Sequence, residues 1–72
     1  MFRPEAKWIE QGDSESLMWG HVKVGEVTMG GSGTWYAYFN DGGERFKSLK
    51  DFLAIDLAKA AVEHALVHAA RQ

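Results

Sequence analysis

A chain of 72 residues closes one hydrophobic core and has nothing left for a second, so residues 1–72 are read as a single domain. A hydrophobic share of 46% with 25% charged residues and one proline excludes a collagen-like or disordered chain, and the lack of cysteine excludes a disulfide framework and any thiolate-held metal. Eight basic against ten acidic side chains leave a formal charge of −2, which speaks against sequence-independent binding to nucleic acid. No apolar run approaches the roughly 20 residues of a membrane span, and Met1-Phe2-Arg3-Pro4-Glu5 lacks the apolar core of a signal peptide, so the expected location is the cytoplasm.

The apolar spacing changes period once, near Ser48, from strand-like alternation to helix-like recurrence, which predicts strands first and a helix last. Lys7-Trp8-Ile9-Glu10 reads as a short first strand and Gly12-Asp13-Ser14-Glu15 as a polar loop. Leu17-Met18-Trp19 and Val22-Lys23-Val24 flank Gly20-His21, a two-residue connection whose leading glycine suits a type II′ hairpin turn. Farther along, Val22 and Val24 share one parity whereas Val27 and Met29 share the other. A bulge at Gly25 would rejoin them on one inner face, and a plain turn at Val24-Gly25 is the competing reading.

Gly30-Gly31-Ser32-Gly33 has no Lys-Ser/Thr after it and precedes a β-branched, aromatic segment, so it reads as a hairpin loop and not as a phosphate cradle. Thr34 to Phe39 is the clearest strand, with Trp35, Ala37 and Phe39 on one face and Tyr36 and Tyr38 on the other. After the turn signal Asn40-Asp41-Gly42-Gly43, residues 44–47 return as a short edge strand with Phe46 inward and Arg45 and Lys47 outward. Ser48 with Asp51 resembles a capping box and predicts a helix from about residue 49 to 70. Its apolar arc is Ala54, Ile55, Ala58, Ala61, Val62, Ala65, Leu66 and Ala69, with Lys59, Glu63, His64 and His68 outside it. Phe52 and Leu53 do not fit the arc, so either the first turn is bent or these residues cover the end of the sheet. The predicted fold is therefore α+β: an antiparallel meander of three to five strands, about residues 7–47, packed on one face by a single C-terminal helix.

Gly33-x-Trp35-x-Ala37, a glycine turn, Phe46-x-Ser48 and then Leu57-Ala58-Lys59-Ala60-Ala61-Val62-Glu63-x-Ala65-Leu66 resemble a pattern in small proteins of bacteriophage and prophage genomes. The resemblance spans about Trp8 to Leu66 and implies a sheet-and-helix fold in a mobile-element setting. Against that pattern, Lys50 to Asp56 looks like an insertion ahead of the helix. The resemblance supplies no catalytic residue. A topological likeness also runs to phage integrase arm-binding domains, which read DNA through a three-stranded sheet and are strongly basic, as this chain is not.

Catalytic chemistry finds little support. His64 and His68 have the i, i+4 spacing that can hold a metal, but a third ligand would have to be His21 or Glu63, and two solvated histidines are the simpler reading. Ser14, Ser16, Ser32 and Ser48 have no His-Asp partner by position, and Asp13, Glu15, Asp41 and Glu44 are placed in loops or turns. No enzyme, metal or cofactor is expected.

One helix covers one sheet face, so the other, carrying Tyr36, Tyr38, Arg45, Lys47 and either Trp19 or Lys23, is the candidate partner-binding surface. These residue types are enriched at interface hot spots, although tyrosines on an exposed strand also stabilise a sheet by cross-strand pairing. The expected function is that of a non-enzymatic accessory protein of phage type that binds a host or phage protein, for example as an inhibitor of a host defence complex. The alternative is a nucleic-acid module in which Tyr36 and Tyr38 stack on bases while Arg45, Lys47 and Lys50 meet phosphates. A symmetric homodimer, joining either two open sheet faces or two edge strands, is the third expectation.

Overall fold

The computed structural model describes residues 6–40 and 46–70. Five strands, β1 (Lys7–Gln11), β2 (Ser14–Trp19), β3 (Val22–Met29), β4 (Trp35–Phe39) and β5 (Lys47–Ser48), precede one helix, α1 (Ile55–Ala70). The strands form an antiparallel sheet in the order β1-β2-β3-β4-β5, which is the α+β meander predicted.

Glycine sets both tight hairpins. Gly12 and Gly20 each have φ of +64° while among the described residues no other residue type has positive φ, so in the loops Gly12-Asp13 and Gly20-His21 only the first position is left-handed. That is the type II′ pattern, whose twist matches the paired strands. The first loop is shorter than the sequence suggested: β2 starts at Ser14, opposite Gln11, and draws Glu15 into the sheet.

The expected irregularity in β3 is present. Leu17 pairs with Gly25 and Met18 with Lys23, so Val24 and Gly25 together face a single residue of β2. The extra residue shifts the alternation by one, and Val24, Gly25 and Val27 all serve the helix side. That side holds the core: Leu17, Val27 and Ala37 from the sheet meet Ala58, Val62 and Leu66 from α1, with Trp8, Trp35, Phe39, Leu49, Phe52 and Ile55 packed around them. Small residues at the crossing let the helix come close. A Cβ placed on Gly25 would lie 2.5 Å from Val62 Cγ1.

The approach to the helix departs from expectation. Ser48 belongs to β5, opposite Tyr38, and does not cap the helix, which begins at Ile55 with the Ala58 N–H donating to the Ala54 carbonyl at 3.2 Å. The cause is the edge of β4, whose backbone groups need partners. The Leu49 N–H donates to Ala37 O at 2.8 Å, and Trp35 and Phe52 exchange both N–H···O bonds at 2.7 and 2.9 Å. Residues 47–52 are held as an extended strap, and only beyond them can the chain turn into α1. Phe52 thus covers the end of the sheet, one of the two placements foreseen, whereas Leu53, given the same placement, is 84% exposed.

The strap also reverses faces. Lys47 pairs with Phe39 and so lies on the helix side, while Phe46 is 41% exposed and outside the core, the opposite of the predicted arrangement. Leu49 takes the inward place assigned to Phe46. A one-residue change of register does this, because side chains alternate with a period of two. The turn residues Asp41 to Gly43 and Arg45 lie outside the described residues.

Candidate binding face

Strand pairing places the residues of the uncovered face in rows. Ile9, Ser16, Glu26, Tyr38 and Ser48 run across all five strands, and Gln11, Ser14, Thr28 and Tyr36 run beside them. Lys7, Met18 and Lys23 form a third, shorter row toward the β2–β3 hairpin. Tyr36 and Tyr38 are both half-buried, adjacent on β4 with one residue between them, and flanked on β3 by Thr28 and Glu26.

Tyr36 is held in place by a glycine. Its ring atoms lie where a Cβ on Gly30 would be, at 2.6 Å from Cε2, so the missing side chain lets the ring lie over the loop. The loop's own bonds, Gly30 N–H to Thr34 O at 2.7 Å and Gly33 N–H to Gly30 O at 3.2 Å, use two of its four amides. Beside Tyr38, the Glu26 carboxylate makes an ion pair with Lys23, three residues back along β3 and across the bulge.

At the other end of the face, Lys7, Ile9, Met18, Trp19 and Gly20 line an open hollow of about 480 Å³. Trp19 pairs with Val22 and falls on the Leu17 side of the pleat, so it is not part of the open face as the sequence suggested. It is 39% exposed and borders the hollow at the hairpin end. Of the residues expected on this face, Tyr36 and Tyr38 are together there, Lys23 is there in place of Trp19, Lys47 and Trp19 belong to the other side, and Arg45 lies outside the described residues.

Ile9, Met18, Glu26 and Thr28 were not singled out from the sequence. Ile9 and Met18 show up once β1 and β2 are paired, because parity then puts them on the tyrosine side. Glu26 and Thr28 needed the bulge at Val24-Gly25, without which β3 cannot be assigned to faces.

A polar group on the helix side was also missed. Glu15, only 12% exposed, is paired with Lys59 of α1, whose ammonium stands 5.4 Å from the centre of the Trp8 ring, and the Trp8 indole N–H donates to Glu63 Oε2 at 2.8 Å. Lys59 and Glu63 therefore tie α1 to β1 and β2 instead of being solvated. No local signal could reveal a bond between residues 55 positions apart. His64 and His68 are exposed, with rings stacked at 6.4 Å, and no group of three metal-ligating side chains occurs among the described residues. No helix among them is long and apolar enough to cross a membrane. No protein-family model, curated protein or solved structure matches the chain, so the functional reading rests on the face itself.

Proposed function

We propose that the protein is a non-enzymatic binding protein that docks a partner protein on its uncovered sheet face, with Tyr36 and Tyr38 as the anchor. The observation that carries this reading is the pair of half-buried tyrosines with Glu26 directly opposite Tyr38. Two amphipathic rings on a rigid strand offer contact area at low entropy cost, and the adjoining Thr28 and Ser48 supply a polar rim. In the mobile-element setting that the sequence resemblance implies, the partner is a host or phage protein, with a host defence complex as the leading class.

The nucleic-acid alternative is less well supported. Lys47 lies on the Phe39 side, Lys23 is neutralised by Glu26, and a carboxylate adjoins the ring that would have to stack on a base. A backbone-tracking surface needs the reverse.

The test is capture from host lysate by the parent and by the Tyr36→Ala/Tyr38→Ala variant, with oligonucleotide binding measured in parallel. Loss of one captured protein in the variant, with no oligonucleotide binding by either, is the expected result. Tight, salt-sensitive binding of oligonucleotides by the parent would replace this reading with the nucleic-acid one.

A further inference from the structure

The sheet ends differently on its two sides. Beyond β4 the edge is sealed by β5 and by the bonds of Leu49 and Phe52. At the other side β1 pairs only with β2, and among the described residues nothing pairs with its outer edge. That edge has neither a proline nor a bulge, two of the devices that keep an edge strand from adding another.

The two pleat faces at this edge differ in chemistry. On the helix side Glu10 lies directly opposite Glu15, and Glu63 is bonded to Trp8. Among the described residues Lys59 is the cation paired into this group, and it is bound to Glu15. Within them three carboxylates stand against one ammonium, and two of the three form a like-charged cross-strand pair. On the open side Ile9 is 43% exposed and, with Met18 and the stem of Lys7, walls the hollow.

We infer that the β1 edge receives an extended segment of a partner protein as a sixth strand, basic side chains toward Glu10 and Glu63 and an apolar side chain in the Ile9–Met18 hollow. Main-chain groups of β1 that point away from β2 supply the hydrogen bonds, and the alternation of the incoming strand matches the two faces in one orientation only. A second copy of β1 fits poorly. Pairing two copies about Ile9 brings the two Glu10 side chains into diagonal register on an already acidic face, pairing about Glu10 sets them directly opposite, and pairing about Trp8 sets each opposite Ala6, so no antiparallel register brings a basic side chain to this face. The inference goes beyond the tyrosine face, because β1 lies three strands, roughly 14 Å, from β4.

The probe is an acetylated, amidated octapeptide of alternating Lys and Val, titrated into the full chain at physiological ionic strength while backbone amide shifts are followed. Its counterpart alternates Glu and Val. Shifts centred on residues 7–11 are expected, with the Glu/Val peptide binding about tenfold more weakly and Glu10→Lys lowering affinity for the Lys/Val peptide by a similar factor. Glu10→Gln, which keeps the side-chain shape, should give a smaller loss in the same direction.

N-methylation of every second amide of the Lys/Val peptide, made in both phases, should abolish binding in one phase only, since one row of its amides faces β1. Tyr36→Ala with Tyr38→Ala should leave every titration unchanged, which separates failure here from failure of the open-face reading. Equal affinity for the two peptides, shifts centred on α1 or on the tyrosines, binding that survives both methylation phases, or a dimer of the protein alone that Ile9→Lys dissociates would each overturn the inference.

Discussion

Gly25→Ala tests how the helix is seated on the sheet. The new methyl would sit 2.5 Å from Val62 Cγ1, about 1 Å inside ordinary carbon–carbon contact. Neither partner can give way cheaply. Val62 is fully buried, and a β-branched side chain in a helix has essentially one χ1 rotamer, so relief requires α1 to move away from β3. Overpacking of this kind costs about 1–3 kcal/mol. Gly25 has no positive φ, so backbone strain adds nothing, and the stiffer unfolded chain of the alanine variant returns about 0.4–1 kcal/mol.

The net loss is about 1–2 kcal/mol, a fall in Tm of roughly 4–16 °C for a domain of this size. Thermal melts followed by circular dichroism measure it. Val62→Ala alone should cost a similar amount through the cavity it leaves, yet the double variant should lose less than the two losses added together, because each change makes room for the other. A Gly25→Ala variant as stable as the parent, or strict additivity in the cycle, would mean that α1 does not press on Gly25.

Ala58→Leu, at a fully buried position, should lower stability by about 1–3 kcal/mol in urea, whereas Ala60→Leu, on the exposed side of the same helix, should stay within about 0.5 kcal/mol. Lys59→Met leaves Glu15 largely buried opposite Glu10 without a counter-charge and should cost about 1–3 kcal/mol, while Glu10→Gln relieves the like-charged pair and should leave stability unchanged or raised. Gly30→Ala should move the Tyr36 ring resonances in proton spectra with a stability change below about 1 kcal/mol, and unaltered resonances would show that the ring does not lie over Gly30.

The parts of the fold that could be read from the sequence are those that local chemistry decides. The Gly20-His21 turn, the alternation of Trp35, Ala37 and Phe39, and the recurrence of Ala58, Val62 and Leu66 each declare themselves within a few residues. The bulge is nearly as local, since the parity break between Val24 and Val27 straddles a glycine. Ser48 shows where this fails. In isolation Ser48 and Asp51 look like a helix start, but the open edge of β4 competes for the same backbone, and Leu49 and Phe52 gain burial by answering it. Tertiary demand outweighs the cap, and the faces of Phe46 and Lys47 change with it. Glu15 and Lys59 fail for another reason: each is an ordinary surface residue until the sheet and helix are docked, and the pairing exists only in that geometry.

The size of the helix explains why the face and the edge are left open where they are. Sixteen residues make a rod about 24 Å long and 10–12 Å wide, whereas five strands at about 4.8 Å spacing span roughly 20 Å. The helix covers about half of the sheet, and its buried residues meet Leu17, Val27 and Ala37 on the three central strands. Each flank then needs its own closure. Beyond β4 the extended strap brings Leu49 and Phe52 into the core and satisfies the backbone in the same step. Toward β1 the closure among the described residues is made by side chains, through Trp8 to Glu63 and Lys59 to Glu15, which anchors the strand to the helix while no described residue pairs with its outer backbone groups. Side chains that close a flank from above cannot supply main-chain bonds at its rim. An arriving strand would meet an edge already held in an extended conformation, so the ordering cost falls on the arriving strand, beside the rigid-body freedom that any association gives up.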